Sequence, residues 1–381
     1  MRIGITTFGA DGGKSGISRY VMSLMRELPA LAPDIEWEAV VYEDERELFI
    51  ADPLRTRALC RGKWLRRPVV NVAWHLACLP WLARRRGYDV VFLPAANRRA
   101  PVWAGAPSVG TVHDFSSLHV PGKYDRARLF YIKRALPFLA RRLTRVLTVS
   151  ECSKRDIVEF AGVPEDRVVV TPLAADETVF YPRNREEAAE RTRRRFGVEP
   201  PYILYVSRIE HPGKNHVRLI AAFSRLKEAT GLPHRLLLAG SDWTRADAVH
   251  AAAAESRWSR EIVFGGFAPQ ESLPDLYCGA DLFVFPSLYE GFGLPALEAM
   301  CCGTPVVCSN ASSMPEVAGD AALMFDPADE EAMASAMRRA LTEPGTREDL
   351  VRRGLERRRL FSWTETARRT LEALREAAGS R

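Results

Sequence analysis

The sequence lacks long apolar runs and cysteine pairs of the CxxC type. No apolar run approaches the roughly 20 residues that a membrane-spanning helix needs. The first residues run directly into a strand pattern, without the apolar segment of a signal peptide. The seven cysteines form no CxxC pair and no metal-ligand spacing. We therefore expect a cytoplasmic protein that uses its cysteines as small apolar residues, without a structural disulfide or a zinc site.

Length and composition are those of a globular chain of two domains. The 381 residues are too many for one ordinary core and favour two domains of under about 200 residues each. Hydrophobic residues make up 47% and charged residues 27% of the chain, which argues against disorder.

Short β-branched runs alternate with amphipathic helical segments along almost the whole chain. Continuous apolar strands separated by helices indicate parallel sheets buried on both faces, and two such series predict two doubly wound α/β domains facing each other across a cleft. The predicted strands are Arg2–Phe8, Glu36–Tyr42, Val90–Leu93, Ser108–His113, Arg145–Val149 and Val168–Thr171, then Ile203–Val206, Arg235–Ala239, Ile262–Gly265, Leu282–Pro286, Pro305–Cys308 and Leu323–Phe325.

The domain boundaries follow from this alternation. We predict a first domain over residues 1–180, a polar linker over 181–200 and a second domain over 201–360. The last helical stretch, 361–381, is expected to pack back towards the first domain.

A glycine loop follows the first predicted strand. It contains Gly12, Gly13 and Gly16 and precedes a helical pattern, so its backbone could approach an anionic ligand closely. The glycine spacing matches neither GxGxxG nor GxxxxGK[ST]. On these residues alone, a plain flexible turn and a ligand loop remain equally open.

The region after the predicted strand Leu282–Pro286 is more informative. Pro295 stands where the first turn of a helix tolerates proline, so the N–H groups of residues 292–294 are available at a helix start suited to phosphate. Glu298 lies about one turn into that helix, where its carboxylate suits a vicinal diol such as that of a ribose. Glu290 precedes the helix, where it could contact a second polyol. Either carboxylate alone would more often be a solvated surface group.

Glu290 and Glu298 form an E-x7-E pair within residues 290–300, followed by Gly303-Thr304-Pro305. This pattern closely resembles the retaining GT-B glycosyltransferases of family 4, and the resemblance spans most of the chain. Arg208 and Lys214 follow the first strand of domain two, where the family carries an Arg and a Lys, and residues 313–317 match a later family pattern.

The resemblance implies a role for each matched residue. It implies that Arg208 and Lys214 stabilise the leaving diphosphate, so that neither an essential metal nor another cofactor is expected. It implies that His113 and Glu290 contact the donor sugar, without a protein nucleophile. The implied donor-binding and nucleotide-binding residues are Gly12, Gly13, Gly16, Ser287, Gly291, Phe292, Gly293, Leu294 and Glu298.

The implied activity is transfer of a hexose from a nucleotide-diphosphate sugar to a saccharide or lipid-linked saccharide, in polysaccharide, O-antigen or glycolipid assembly. Residues 214–220 resemble those of several mannosyltransferases, which favours GDP-mannose over a UDP-sugar without deciding between them. Two alternatives stay open, a nucleotide-sugar epimerase of the same fold and a non-catalytic GT-B binding protein.

The basic charge is concentrated in the first half of the chain. The formal net charge is +6, and between Arg46 and Arg145 there are 20 basic and 5 acidic residues. Within residues 63–86 and 123–145 the cations alternate with aromatic residues. This pattern fits a solvated basic face or a surface that docks on anionic lipid at the inner face of the cytoplasmic membrane. A nucleic-acid groove is disfavoured because no recognised nucleic-acid motif accompanies the charge.

Overall fold

The structure is a computed structural model and describes residues 1–13, 15–122 and 126–380. It divides into two compact units. The first comprises the described residues of 1–118, 126–173 and 362–381, and the second those of 119–125 and 174–361.

A parallel sheet of seven strands forms the centre of the first unit. Its strands are β1 (Arg2–Thr6), β2 (Glu36–Tyr42), β3 (Thr56–Arg61), β4 (Val90–Leu93), β5 (Ser108–Thr111), β6 (Arg145–Thr148) and β7 (Val168–Val170). Their order is β3-β2-β1-β4-β5-β6-β7, and Ile3 of β1 lies opposite Trp37 on one side and Val90 on the other. The order therefore reverses between β1 and β4, which is where open α/β sheets bind ligands at the strands' carboxyl ends.

The second unit repeats this arrangement with six parallel strands. They are β8 (Tyr202–Val206), β9 (Arg235–Ala239), β10 (Ile262–Gly266), β11 (Leu282–Phe285), β12 (Val306–Ser309) and β13 (Ala322–Phe325). Their order is β10-β9-β8-β11-β12-β13, with the reversal between β8 and β11. These two sheets confirm the predicted pair of doubly wound α/β domains.

Helices connect the strands because apolar residues recur along them at helical spacing and bury one face against a sheet. The α-helices are α1 (Gly16–Leu31), α2 (Arg46–Phe49), α3 (Pro68–Ala73), α4 (Leu79–Arg86), α5 (Ser116–His119), α6 (Arg126–Phe130), α7 (Leu136–Ala140), α8 (Glu151–Asp156), α9 (Arg185–Phe196), α10 (His216–Thr230), α11 (Ala246–Glu255), α12 (Leu273–Gly279), α13 (Leu294–Cys301), α14 (Met314–Ala318), α15 (Glu330–Thr342), α16 (Thr346–Arg357) and α17 (Trp363–Gly379). Single π-helical turns over Trp74–Cys78, Tyr131–Ala135 and Ile157–Ala161 continue α3 into α4, continue α6 into α7 and extend α8.

Two helices bear on the predicted boundaries. Helix α9, which falls within the segment predicted as linker, packs on α12 of the second unit. Helix α17 packs on α1 and on strands β4 to β7 of the first unit, and the indole of Trp363 lies 6.3 Å from the ring of Tyr20.

Strand β3 is the one strand of the described chain that the sequence pattern misses. It lies at the edge of its sheet, and its residues Thr56–Arg61 include three polar side chains and only partly buried apolar ones. Strands of that kind lack the continuous apolar run by which the other twelve are recognised. All seven cysteines are free thiols, and five of them are buried, as expected for small apolar residues.

Candidate active site

Two loops of the second unit meet at the reversal between β8 and β11. The loop after β8 carries Arg208 and Lys214, and the loop after β11 carries Ser287 and Glu290. The N–H of Leu288 donates to the carbonyl of Gly213 across 3.0 Å. The fold therefore brings two segments together that lie more than 70 residues apart in the sequence.

Asn215 connects the loop after β8 to the loop after β11 by hydrogen bonds. Its φ of 61° lies in the left-handed region at the start of α10, and its buried amide donates to the carbonyls of Pro286 at 2.9 Å and Pro327 at 2.8 Å. Asparagine tolerates this conformation better than most residues. Because its partners are distant backbone carbonyls, sequence reasoning did not identify this residue.

Lys214 and Glu290 form the central ion pair of the site. The Lys214 Nζ lies 2.6 Å from Glu290 Oε1, and the two side chains are only 17% and 16% exposed. Buried Tyr205 supports both loops, since its hydroxyl donates to the Lys214 carbonyl at 2.9 Å and hydrogen-bonds with Ser287 Oγ at 3.1 Å. Burial raises the pKa of Tyr205, so its phenol stays protonated.

Arg208 lies on the same loop as Lys214 but is exposed. Its guanidinium stacks on the Trp243 ring, 4.8 Å from the centroid. The backbone beneath it is paired with the loop after β9, because Ile209 N–H donates to Ser241 O and Trp243 N–H donates to Ile209 O, each at 2.9 Å. The Arg208 guanidinium is therefore held at the surface of the second unit, where it is accessible to an anionic ligand such as a diphosphate.

The start of α13 has the form that the sequence predicts. Gly293 caps the helix at a φ of 100°, and Pro295 lies in the first turn. Buried Ser313 shapes the preceding loop by donating from Oγ to the carbonyls of Glu290 at 3.0 Å and Phe292 at 2.9 Å. The N–H groups at this helix start suit a phosphate.

Glu298 lies in the first turn and a half of α13 and is 1% exposed. Its Oε2 accepts a hydrogen bond of 2.8 Å from the hydroxyl of Tyr277 on α12. The sequence shows Glu298 as a candidate diol ligand, but it does not show this partner, which the packing of α12 on α13 provides.

The glycine at the cap of α13 gives a first expected result. A Cβ at Gly293 would lie 2.5 Å from Met314 Sδ, and the φ of 100° is strained for any L side chain. We expect Gly293→Ala to lower the free energy of unfolding by about 2–4 kcal/mol. Gly231→Ala is the matched control, since its φ is 65° with no atom within 4 Å, so only about 1 kcal/mol should be lost. Urea unfolding of both variants measures the difference, and equal losses would contradict it.

The glycine loop of the first unit folds over Ser18 of α1. The Ser18 Oγ accepts hydrogen bonds from the N–H groups of Asp11 at 3.0 Å and Gly13 at 3.1 Å and donates to Asp11 Oδ1. The φ angles of 64° at Gly12 and 88° at Gly13 are those that glycine permits. The amide of Gly13, one of the implied donor-binding residues, is bonded to Ser18 Oγ in this structure. Gly16 is the first residue of α1.

His113 follows β5 and is 7% exposed. Its Nε2 lies 3.0 Å from the carbonyl of Pro94, which accepts only, so Nε2 carries the proton and Nδ1 is the free acceptor. Burial lowers the pKa of His113 to about 4, which keeps the ring neutral at pH 7. Arg98, on the loop after β4 that also carries Pro94, donates from Nη1 to the carbonyl of Gly9 at 2.7 Å. The fold therefore brings His113 and the glycine loop to the same edge of this unit.

Comparison with known proteins shows the family of the chain. The "Glycosyl transferases group 1" family matches residues 186–357, and "Glycosyltransferase Family 4" matches residues 14–179. The chain is 35% identical over 376 residues to the O-antigen chain mannosyltransferase B of Escherichia coli, covering 94% of this chain and 95% of that protein. The chain belongs to glycosyltransferase family 4.

This glycosyltransferase is also similar to a further relative and to solved structures. The MMP alpha-(1->4)-mannosyltransferase of Mycolicibacterium hassiacum is 30% identical over 259 residues, which are 63% of this chain and 56% of that protein. Among solved structures, the sucrose-phosphate synthase of Thermosynechococcus elongatus aligns with a TM-score of 0.77 at 20% identity over the full length of both chains. Anabaena HepE in complex with UDP and glucose aligns with a TM-score of 0.76 at 17% identity, over 98% of this chain and 99% of that one. These neighbours establish the GT-B fold.

Two further findings concern the part of the glycosyltransferase that the structure describes. It contains no group of three or more His, Cys, Asp or Glu side chains placed to hold a metal ion. Within the same residues, no helix combines the length and the apolar character that crossing a bilayer requires.

Proposed function

We propose that this glycosyltransferase transfers a hexose, with mannose favoured, from a nucleotide-diphosphate sugar to a saccharide or lipid-linked saccharide acceptor. The Lys214–Glu290 ion pair at the sheet reversal carries the proposal, because it sets a cation and a sugar-binding carboxylate beside the α13 helix start. The likeness to an O-antigen chain mannosyltransferase over nearly the full length of both chains supports GDP-mannose over a UDP-sugar and an O-antigen or related polysaccharide as the product.

The second unit supplies the donor-binding groups in this proposal. The diphosphate sits at the N–H groups of 292–294, with Lys214 and Arg208 neutralising its charge without a metal. Glu298 accepts hydrogen bonds from the ribose hydroxyls and Glu290 from those of the sugar, with Ser287 and Gly291 completing the loop. From the first unit, His113 offers the neutral Nδ1 to a sugar hydroxyl, and Gly12 leaves room for close approach of a ligand.

The proposed reaction retains the anomeric configuration. The bond between the sugar C1 and the diphosphate oxygen breaks, and the acceptor oxygen bonds to C1 on the same face. The acceptor proton passes to the departing phosphate oxygen, so no protein nucleophile is needed. The protein's part is to position the reactants and to stabilise the charge that develops on the diphosphate.

A panel of nucleotides tests the donor. Thermal shifts of the full chain are measured with GDP, UDP and ADP and with their sugars, in buffer with EDTA. We expect the largest shift with GDP-mannose and transfer that persists in EDTA. The product NMR spectrum should show the same anomeric configuration as the donor sugar. Epimer formation without acceptor would favour the epimerase alternative, and the absence of both transfer and slow donor hydrolysis would favour a binding protein.

The first unit also carries a surface that we propose docks on anionic lipid. The π-helical turns join α3 to α4 and α6 to α7, and both helical stretches bury residues in one core beneath the same face of the sheet. Their outer sides expose Trp81 at 57% and Phe138 at 43%. Arg85 and Arg142 stack on these two rings at 4.9 Å each. We call these exposed aromatic and basic side chains of 64–86 and 128–142 the basic-aromatic face. Residues 123–125 of the predicted stretch lie outside the described residues.

Vesicle flotation tests the basic-aromatic face. We expect the wild-type chain to float with phosphatidylglycerol vesicles at low salt and to be released at high salt. Trp81→Ser with Phe138→Ser should lower the partition coefficient at least about tenfold, since each buried aromatic side chain contributes about 1.5–3 kcal/mol. Leu360→Ser, at a residue 67% exposed on the second unit, is the matched control and should leave flotation unchanged. A wild-type chain that ignores anionic vesicles at low salt would remove the membrane proposal.

A further inference from the structure

The two cations at the sheet reversal of the second unit are held in different ways. Lys214 Nζ lies 2.6 Å from Oε1 of Glu290, so a carboxylate holds this ammonium group. The Arg208 guanidinium stacks on the ring of Trp243, with 4.8 Å between its Cζ and the ring centroid. Within the part of the chain that the structure describes, this guanidinium forms no hydrogen bond and no ion pair. Trp243 is therefore the side chain that sets where the Arg208 cation lies.

The Trp243 loop is bound closely to the loop after β8. The pairing of β8 with β9 continues past the strand ends, where buried Ile209 pairs with Asp242 in an isolated parallel bridge. A Cβ at Gly240 would lie 1.8 Å from the carbonyl oxygen of Ser207, so only glycine lets the two loops approach this closely. The backbone that carries the stacked pair is therefore fixed by contacts that do not involve the indole.

Helix α11 also restrains the Trp243 loop. The Nε2 of His250 on this helix lies 3.0 Å and 3.1 Å from the two carboxylate oxygens of Asp242. The His250 ring also contacts the ring of Phe264 on β10, with 4.3 Å between the centroids. The indole is therefore presented by a loop that is ordered before a ligand arrives, which lowers the entropy lost on binding.

An aromatic partner suits a cation that has to bind a diphosphate. A carboxylate would offset the charge of the guanidinium and occupy up to two of its five N–H donors. An indole face attracts the guanidinium plane and uses none of those donors in the plane. The stacked Arg208 therefore keeps its full charge and its donors for an anionic ligand, while the stack restricts the rotamers of a long side chain that is otherwise exposed.

We propose that Trp243 is a positioning residue that holds Arg208 for the diphosphate of the nucleotide sugar. This inference rests on the proposed function, in which Arg208 neutralises that diphosphate. Trp243 acts through the guanidinium and makes no contact of its own with the phosphates or the sugar. Arg208 and Lys214 then approach the diphosphate from two different supports, one aromatic and one ionic.

Steady-state transfer kinetics of the full chain test the proposal. Trp243→Leu should lower kcat/KM for the nucleotide sugar about 5-fold to 30-fold, the range expected for a cation–π contact that a bound ligand shields from water. Trp243→Met also lacks a ring and should show the same loss, whereas Trp243→Phe keeps an aromatic face and should recover most of it. All three should melt within a few degrees of the wild-type chain, because the indole is 48% exposed.

The second unit offers a matched control in another arginine–aromatic stack. The guanidinium of Arg183 lies over the ring of Tyr181 at 5.0 Å, and Tyr181 is 45% exposed. Tyr181→Leu removes a comparable contact and should leave kcat/KM unchanged. Equal losses in Tyr181→Leu and Trp243→Leu would show a general effect on the unit and would overturn the positioning role.

Calorimetric titration with GDP and GMP, and with UDP and UMP, separates positioning from direct contact with the nucleoside. Trp243→Leu should weaken binding of the diphosphates more than about fivefold and that of the monophosphates less than about twofold. In the Arg208→Gln background, Trp243→Leu should change the dissociation constant for the diphosphate less than about twofold, because the cation that it positions is gone. Equal losses for monophosphate and diphosphate, or full additivity with Arg208→Gln, would overturn the proposal.

The outcomes also distinguish this inference from the proposed function. A wild-type chain that transfers sugar, together with Trp243→Leu and Trp243→Met variants that keep its kcat/KM, would overturn the positioning role and leave the proposed function standing. A wild-type chain that neither binds a nucleoside diphosphate nor cleaves any nucleotide sugar would overturn the proposed function, and this inference with it.

Discussion

Glu290→Gln is expected to lower the turnover of sugar transfer about 100-fold to 1000-fold while the melting temperature stays within a few degrees. Its carboxylate lies 2.6 Å from Lys214 Nζ in a pair that is mostly shielded from water. Fixed charges in such a site act strongly on charge that develops during reaction, and removing one group of this kind typically costs 10²–10³ in rate. Because glutamine keeps the size and the hydrogen-bonding oxygen, the loss should appear in kcat more than in donor affinity.

A double-mutant cycle makes this result specific to the pair. Lys214→Met and Glu290→Gln should each be severely slow, and the double variant should be little slower than either single one. Steady-state rates with saturating nucleotide sugar measure the three variants. Full additivity of the two losses would show that Lys214 and Glu290 act independently, against the proposed site.

Glu298→Ala is expected to raise the dissociation constant for the nucleotide sugar about 10-fold to 100-fold. A hydrogen bond to a charged group contributes about 1.5–3 kcal/mol, and a carboxylate facing a ribose diol would make up to two. Alanine also leaves the buried hydroxyl of Tyr277 without its partner at 2.8 Å, so stability should fall by about 1–3 kcal/mol.

Tyr277→Phe separates the two effects of the Glu298 change. It removes the same buried hydrogen bond and leaves the carboxylate in place, so it should lower the melting temperature with only a small change in donor affinity. Calorimetric titration of nucleotide into each variant provides the comparison. Glu290 and Glu298 variants that both transferred sugar at the wild-type rate would show that the donor site has been placed wrongly.

Much of the fold could be read from local pattern because its strands are buried on both faces. A run such as Leu282–Phe285 is apolar throughout, and helix α13 begins at Leu294 as its proline and glycine predict. The edge strand β3 was not predicted, because it is only partly buried and its residues need not be apolar.

Some residues of the candidate site can likewise be identified from the sequence, and others only from the structure. The E-x7-E spacing of Glu290 and Glu298 is local, so the sequence alone shows it. The supporting residues Tyr205 and Asn215 are not evident from sequence, because each bonds to atoms brought near by the sheet order. The sequence shows the glycine loop that contains Gly13, but only the structure shows that its amide donates to Ser18 Oγ.

By itself the sequence determined the two α/β domains, the family and the residues that carry its motif, because these depend on periodicity and on spacing within single loops. Only the tertiary structure decided which charges meet. Lys214 and Glu290, which lie 76 positions apart, form an ion pair. Glu298 accepts a hydrogen bond from Tyr277 on another helix, and Glu45 accepts one from Arg66. The physical reason is that the loops after parallel strands all lie at the same edge of the sheet. The order of the strands determines which of these loops are in contact, and that order is not encoded in the local sequence pattern.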